Sequence, residues 1–216
     1  MQKRMDSKES RRLEGMLLYE RELESEGCCL IAGMDEAGRG PLAGPVVAAC
    51  VIMPRDTLIE GVNDSKKLSP KKRELLYDRI IQSAIAWGVG VVSHEDIDRY
   101  NILEAAKMAF VQAYVKMHMT PDGVLVDAVK GLDIPVRTVA IIKGDQKSYT
   151  IAAASIVAKV YRDRLMVQYD SEYPEYSFCR HKGYCTEEHV EAIKIHGPCP
   201  IHRRTFLRNI RQDGQP

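Results

Sequence analysis

The 216 residues carry 31 Lys and Arg against 30 Asp and Glu, a net charge of +1, with 45% hydrophobic and 28% charged residues. That is the balance of an ordinary globular chain, long enough for one domain with a substantial core, and it supplies no global field for a nucleic acid. No apolar run reaches the roughly 18 residues needed to span a bilayer, and the charged start Met1-Gln2-Lys3-Arg4-Met5-Asp6 is not a signal peptide, so a cytoplasmic protein with no membrane partner is expected.

Residues 7–26 read as a helix, with Leu13, Met16, Leu17 and the segment from Tyr19 to Leu23 as an apolar stripe and Gly27 as its end. A buried strand over 28–34 runs into Asp35-Glu36-Ala37-Gly38-Arg39-Gly40-Pro41, which must turn, and a second strand covers 45–53. Ser69 and Pro70 start a helix expected to bury Leu75, Leu76, Ile80 and Ala84. A third strand is expected over 86–92. Asn101 caps a helix with Glu104 placed to reach back and Leu103, Ala106, Phe110, Ala113 and Met117 on its apolar face. Strands over 123–126 and 136–142 end at Asp127 and just before Gly144-Asp145. A long helix is expected from about Ser148 to Tyr169, and the last helices near Thr186 and Arg203. Early strands followed by alternating helices and strands give an α/β fold with a mixed central sheet.

Three acidic positions are each expected at the C-terminal end of a strand: Asp35 with Glu36, Asp127, and Asp145. Taken singly, each has a plain reading as a turn former, and Asp35 and Glu36 start toward opposite faces of their strand. Brought together, four carboxylates repel one another and stay ionised at neutral pH only with cations between them. An all-oxygen site suits Mg²⁺ or Mn²⁺ and two-metal hydrolysis of a phosphodiester.

The turn from Gly38 to Pro45 places glycines, whose backbone amides can approach a ligand, and Arg39, which can fork onto a phosphate, directly after two acids. Gly38, Gly40 and Ala43 also match a dinucleotide-binding spacing, but strand-like sequence follows where that motif needs a helix. Arg203, Arg204, Arg208 and Arg211 form a basic segment free of acids. It reads as a solvated end or as a phosphate contact. Cys179, His181, Cys185 and His189 fall close together but lack zinc-finger spacing, so zinc is disfavoured and free thiols are expected. Tyr184 follows a glycine in a loop and is either half-buried or free to stack on a sugar or base.

The stretch from Gly33 to Pro45 resembles the signature of bacterial ribonuclease HII. So do Asn63-Asp64-Ser65-Lys66-Lys67-Leu68, Lys143-Gly144-Asp145 with the segment from Ile151 to Val160, His181-Lys182-Gly183-Tyr184 with Thr186, and His202-Arg203-Arg204-Thr205-Phe206. The motifs occur in the family's order and span 28 to about 207. The resemblance implies a ribonuclease H-like fold with three parts: an N-terminal helical extension (1–27), a catalytic domain (28–170) and a C-terminal helical substrate-binding extension (171–216). It implies an endonuclease that cuts the RNA strand of RNA–DNA hybrids, and cuts 5′ of single ribonucleotides in duplex DNA, leaving 5′-phosphate and 3′-hydroxyl ends. Asp35, Glu36, Asp127 and Asp145 would be catalytic metal ligands. The backbone of Gly38-Arg39-Gly40 would read the 2′-hydroxyl, Tyr184 would stack on the next sugar, and Lys66, Arg39, Arg203 and Arg204 would hold phosphates.

Two alternatives follow from the same resemblance: the ribonuclease HIII type of activity, which normally needs a large N-terminal domain, and a non-catalytic RNA–DNA binding module, which clustered acids argue against. A monomer is expected. A sliding-clamp partner is possible for the family, but Gln212-Asp213-Gly214-Gln215-Pro216 does not argue for one. One local departure is that Asp127 is followed by Ala128-Val129-Lys130, where the family often has glycine or asparagine.

Overall fold

The computed structural model describes residues 6–208 and 210; the charged start of the chain, Arg211 and the segment 212–216 lie outside them. Two helices, α1 (Ser7–Gly15) and α2 (Leu18–Ser25), precede strands β1 (Ile31–Ala37) and β2 (Val46–Ile52). Helix α3 (Pro70–Ser83), strand β3 (Ala86–Val92), and helices α4 (His94–Tyr100) and α5 (Ile102–Lys116) follow. Next come strands β4 (Gly123–Asp127) and β5 (Arg137–Ile141), the helical turn α6 (Gly144–Lys147) and the long helix α7 (Tyr149–Glu172). Short helix α8 (Phe178–His181), helix α9 (Glu187–His196) and a 3₁₀ turn at Arg204–Phe206 complete the order. Among the described residues no helix is long and apolar enough to cross a membrane.

The strands form one mixed sheet in the order β3-β2-β1-β4-β5. β1 pairs antiparallel with β2 and parallel with β4, which in turn pairs parallel with β5. In the parallel register Met34 faces Val126, so Asp35 and Asp127 stand one step further on, at the same edge.

Both faces of the sheet are covered, which explains why β2 is buried at every position and lacks the alternation of a half-exposed strand. Val46, Ala48, Cys50 and Ile52 pack with α5, while Val47, Ala49 and Val51 pack with α3 and α7. The approach of α7 to β1 is backbone against backbone: a Cβ on Gly33 would lie 2.1 Å from the carbonyl carbon of Thr150. Only glycine fits there, and the small residues Ala152, Ala153 and Ala154 continue the close packing. A separate apolar cluster joins Leu42, Ala43 and Met166 to Tyr176, Phe178, Ile193 and Ile201, seating the C-terminal helices on the loop after β1.

The structure corrects several expectations. The helix over 7–26 is two helices, broken after Gly15, a poor helix former; the break frees the Met16 carbonyl to accept the Tyr149 N–H at 2.9 Å. Leu75 and Leu103 are 59% and 43% exposed; Leu76 and Ile80 are buried as expected, with Tyr77 in place of Leu75 on the inner side of α3. The Asn101 side chain caps α5 as expected, but the Glu104 carboxylate pairs with Lys107 rather than reaching back. Among the described residues, the helix expected near Arg203 is a single 3₁₀ turn, Arg204–Phe206. Helix α4, which was not anticipated, is capped by Ser93, whose hydroxyl accepts the Asp96 N–H at 3.2 Å.

Candidate active site

Asp35, Asp127 and Asp145 each offer a carboxylate oxygen, and the three oxygens lie within 4.8 Å of one another. Asp35 and Asp127 reach this point from neighbouring parallel strands. Asp145 arrives differently from the sequence expectation. It does not end β5 but lies in α6, because Lys143 takes a left-handed conformation (φ 57°) that turns the chain into a helical start. The Gly144 N–H then donates to Asp127 Oδ1 at 2.7 Å, tying α6 to the end of β4. Ala128 also takes a left-handed φ, of 54°, immediately after Asp127.

Glu36 stands outside that three-atom group. Its Oε1 pairs with Arg39 at 3.2 Å, and its Oε2 is buried without a hydrogen-bond partner. Burial, Glu36 and Asp127 push the Asp35 carboxyl well above the usual carboxylate range, against the pull of the Ser155 hydroxyl. Burial also raises Glu36, outweighing Arg39, and burial with Asp64 and Asp127 raises Asp145. A protein that concentrates acids under such repulsion is suited to hold cations among them. Lys66 Nζ approaches Asp145 at 3.6 Å; burial opposes its charge, yet Asp35, Asp145 and Asp64 raise its pKa overall.

Two polar residues that the sequence reading did not single out belong here. Asp64 is buried, caps the turn holding Lys66 by accepting its N–H at 2.9 Å, and takes a bond from Gln146. Ser155 sits between Asp35 and the Ser65 hydroxyl, 2.8 Å away. The signal for Asp64 was its place two residues before Lys66 in the motif from Asn63 to Leu68. Ser155 stood inside a run read only as small.

The loop after β1 carries the second departure. Arg39 and Gly40 are exposed, and their amides bond to no acceptor among the described residues. Gly38 takes φ +98°, and a Cβ there would strike Arg162 Nε at 2.1 Å, so this glycine makes room for a buried arginine rather than for a ligand. A Cβ on Gly40 would meet only the Tyr184 ring, at 3.9 Å. Arg203, expected on phosphates, is fully buried. Its guanidinium donates to the carbonyls of Gly38, Arg39, Gly44 and Pro45, so this arginine lies under the loop instead of in solvent. Arg204 is exposed, and its N–H donates to Asp98.

Tyr184 is 41% exposed, with Lys159 Nζ and Arg162 Cζ 5.8 and 5.9 Å from its ring centroid. Its carbonyl bonds to His189 Nδ1 at 2.9 Å. His181 and His189 stack on each other and bond to backbone carbonyls, while Cys179 and Cys185 are exposed and in no disulfide, and the four do not form a converging donor set. Among the described residues, the one group of three or more His, Cys, Asp or Glu with converging donor atoms is the aspartate cluster.

The family model described as Ribonuclease HII matches residues 32–209. The ribonuclease HII of Caldanaerobacter subterraneus subsp. tengcongensis is 51% identical over 203 residues, covering 94% of this chain and 84% of the relative. Among solved structures, the ribonuclease H2 of Pyrococcus horikoshii OT3 superposes with a TM-score of 0.71 at 31% identity, covering 84% of this chain and 97% of that one. The ribonuclease HII solved in complex with PCNA from Archaeoglobus fulgidus gives 0.68 at 29% identity, covering 82% and 94%.

Proposed function

The chain belongs to the ribonuclease HII family, and we propose on that footing that it hydrolyses the RNA strand of RNA–DNA hybrids and cuts on the 5′ side of single ribonucleotides embedded in duplex DNA. Membership makes it a ribonuclease H-type hydrolase; the substrate detail and the residue roles are the proposal. The observation that carries it is the meeting of Asp35, Asp127 and Asp145 oxygens within 4.8 Å.

The donor set fits a pair of hard divalent cations, Mg²⁺ or Mn²⁺, since every donor is an oxygen and the buried Glu36 Oε2 has no protein partner. Asp35, Glu36, Asp127 and Asp145 would hold them. When bound, such ions lower the pKa of an attacking water and offset charge on the leaving oxygen. Lys66, beside Asp145, offsets part of the remaining negative charge. Arg39 reaches solvent from its contact with Glu36 and can fork onto a phosphate next to the cut. Water attacks phosphorus and the 3′-oxygen leaves with a proton, giving 5′-phosphate and 3′-hydroxyl ends. The free amides of Arg39 and Gly40 are donors for a 2′-hydroxyl, the group that separates ribose from deoxyribose. Tyr184, contributed by the C-terminal extension, offers a ring for the adjacent sugar.

The test is incubation with a DNA duplex holding one ribonucleotide, in Mg²⁺, in Mn²⁺ and in EDTA, with the product ends identified. Cleavage only with metal and 5′ of the ribonucleotide is expected. Folded protein that leaves this duplex intact in both metals, or cuts an all-DNA duplex equally well, would overturn the reading.

A further inference from the structure

Arg162 on α7 and Arg203 after α9 are fully buried, and neither makes an ion pair among the described residues. Every bond from their guanidinium groups goes to a backbone carbonyl. Arg203 donates to Gly38 at 2.6 Å, Gly44 at 2.9 Å, Arg39 at 3.0 Å and Pro45 at 3.2 Å. Arg162 donates to Pro45 and Lys182 at 3.0 Å and to Ala43 at 3.1 Å. Burial pushes the pKa of Arg162 down to about 10, and burial with the neighbouring Arg162 charge pushes Arg203 down to about 9; both stay charged at neutral pH.

Two buried cations without a carboxylate are an expensive way to fill a core, and apolar side chains would serve stability as well or better. What they accomplish is geometric. A trans peptide is planar, so the C=O of one residue and the N–H of the next point in opposite directions. With the Gly38 carbonyl held inward by Arg203, the Arg39 N–H must point outward. With the Arg39 carbonyl held inward, so must the Gly40 N–H. These are the two exposed amides without protein acceptors. Arg162 adds the second anchor, joining the far end of the same loop to the Lys182 carbonyl, two residues before Tyr184.

We propose that Arg162 and Arg203 are positioning residues for ribose discrimination: from behind the loop they aim the Arg39 and Gly40 amides at the 2′-hydroxyl and fix their place relative to Tyr184. This rests on the reading that those amides meet the ribose, and the experiment keeps the two apart.

Arg203→Lys retains the charge, but one ammonium cannot reach the four carbonyls that the planar fork spans. The measurement is the affinity of each protein for two duplexes, one all-DNA and one with a single ribonucleotide, in Ca²⁺ so that the strands stay intact, with thermal unfolding recorded alongside. The expected result is a fall in the ribonucleotide preference of at least about fivefold, the worth of one hydrogen bond of about 1 kcal/mol. Arg162→Lys, which leaves the Gly38 and Arg39 carbonyls on Arg203, is expected to show a smaller fall. General damage to the fold lowers both affinities and leaves their ratio alone. A folded Arg203→Lys protein with the wild-type ratio overturns the proposal; should that variant fail to fold, an unchanged ratio in Arg162→Lys does so. A wild-type protein with no preference at all shows, without any variant, that the underlying reading of the amides is wrong, and the proposal falls with it.

Discussion

Nε2 of His189 and Nε2 of His202 lie 3.0 Å apart in the interior of the C-terminal helical cluster. The surrounding bonds fix their protons. The Cys199 N–H donates to His202 Nδ1 at 3.0 Å, so neutral His202 carries its proton on Nε2 and gives it to His189 Nε2. His189 must then carry its own proton on Nδ1, where it donates to the Tyr184 carbonyl. A second proton on either ring leaves two donors facing each other. Burial pushes both rings down to about 4 from an ordinary value of 6.5.

Acid should therefore destabilise the protein through this pair. Below pH 6.5 the unfolded chain takes up protons that the folded pair refuses, so stability present above 6.5 is lost as the pH falls toward 4. The loss should be about 3 kcal/mol per ring, on the order of 5 kcal/mol for the pair by pH 4.5, read as a falling unfolding temperature between pH 7 and 4.5. A Tm that is flat across that range would show that the rings are not held neutral.

Asp35→Asn should abolish cleavage while raising the unfolding temperature in EDTA. The buried carboxyl stands under burial and the charges of Glu36 and Asp127, and an amide removes one of the repelling charges. A variant that unfolds, with unchanged turnover per folded molecule, would contradict the assignment of Asp35 to the metal site.

Tyr184→Ala should weaken cutting at a lone ribonucleotide more than on a continuous RNA–DNA hybrid, because a hybrid offers many registers and a lone ribonucleotide one. Lost stacking is worth about 1–3 kcal/mol, roughly 5- to 150-fold in kcat/KM. Equal losses on the two substrates would reduce the ring to general binding.

Gly38→Ala and Gly40→Ala should fail in different ways. At Gly38 the positive φ and the buried Arg162 beneath it leave no place for a methyl group, so the variant should lose stability. At Gly40 a methyl group would only touch the Tyr184 ring, at an ordinary contact distance, so the variant should unfold near the wild-type temperature and lose turnover at ribonucleotides. Normal stability in the first would mean that the loop does not rest on Arg162 as described.

Ala128→Gly should stabilise the protein by about 1 kcal/mol, since a left-handed alanine costs about 1–2 kcal/mol and glycine's added entropy takes back part. For a chain of this size that is a rise of about 2–4 °C in Tm. A lower Tm would mean that the alanine methyl makes contacts worth more than the strain.

The same alanine shows how far the sequence could be read. The absence of glycine or asparagine after Asp127 stood out as a departure from the family pattern, and the structure gives the reason for that pattern: the chain turns left-handed at this position. Strand β3 and the strand ending at Asp127 were legible because apolar runs bounded by turn residues need no distant information. Asp145 was placed near its neighbours but on the wrong element, since nothing local marks Lys143 as left-handed. Arg203 was misread for a stronger reason. In a run of arginines charge is the only local signal, and its burial is caused by loop residues some 160 positions earlier. His202 beside it was hidden in the same way, by its partner His189 on α9.

The distance along the chain from Arg39 to Arg203 has a consequence for synthesis. The loop leaves the ribosome early, while the guanidinium that holds it follows 164 residues later. At about 5–20 residues per second that is roughly 10 to 30 s, during which the loop carbonyls lack this anchor. The acids on β1 and β4 can be brought together well before Arg203 exists. On the function proposed above, the nascent chain would bring its acids together before the loop amides were aimed at a ribose, and selectivity would be complete only once Arg203 had emerged.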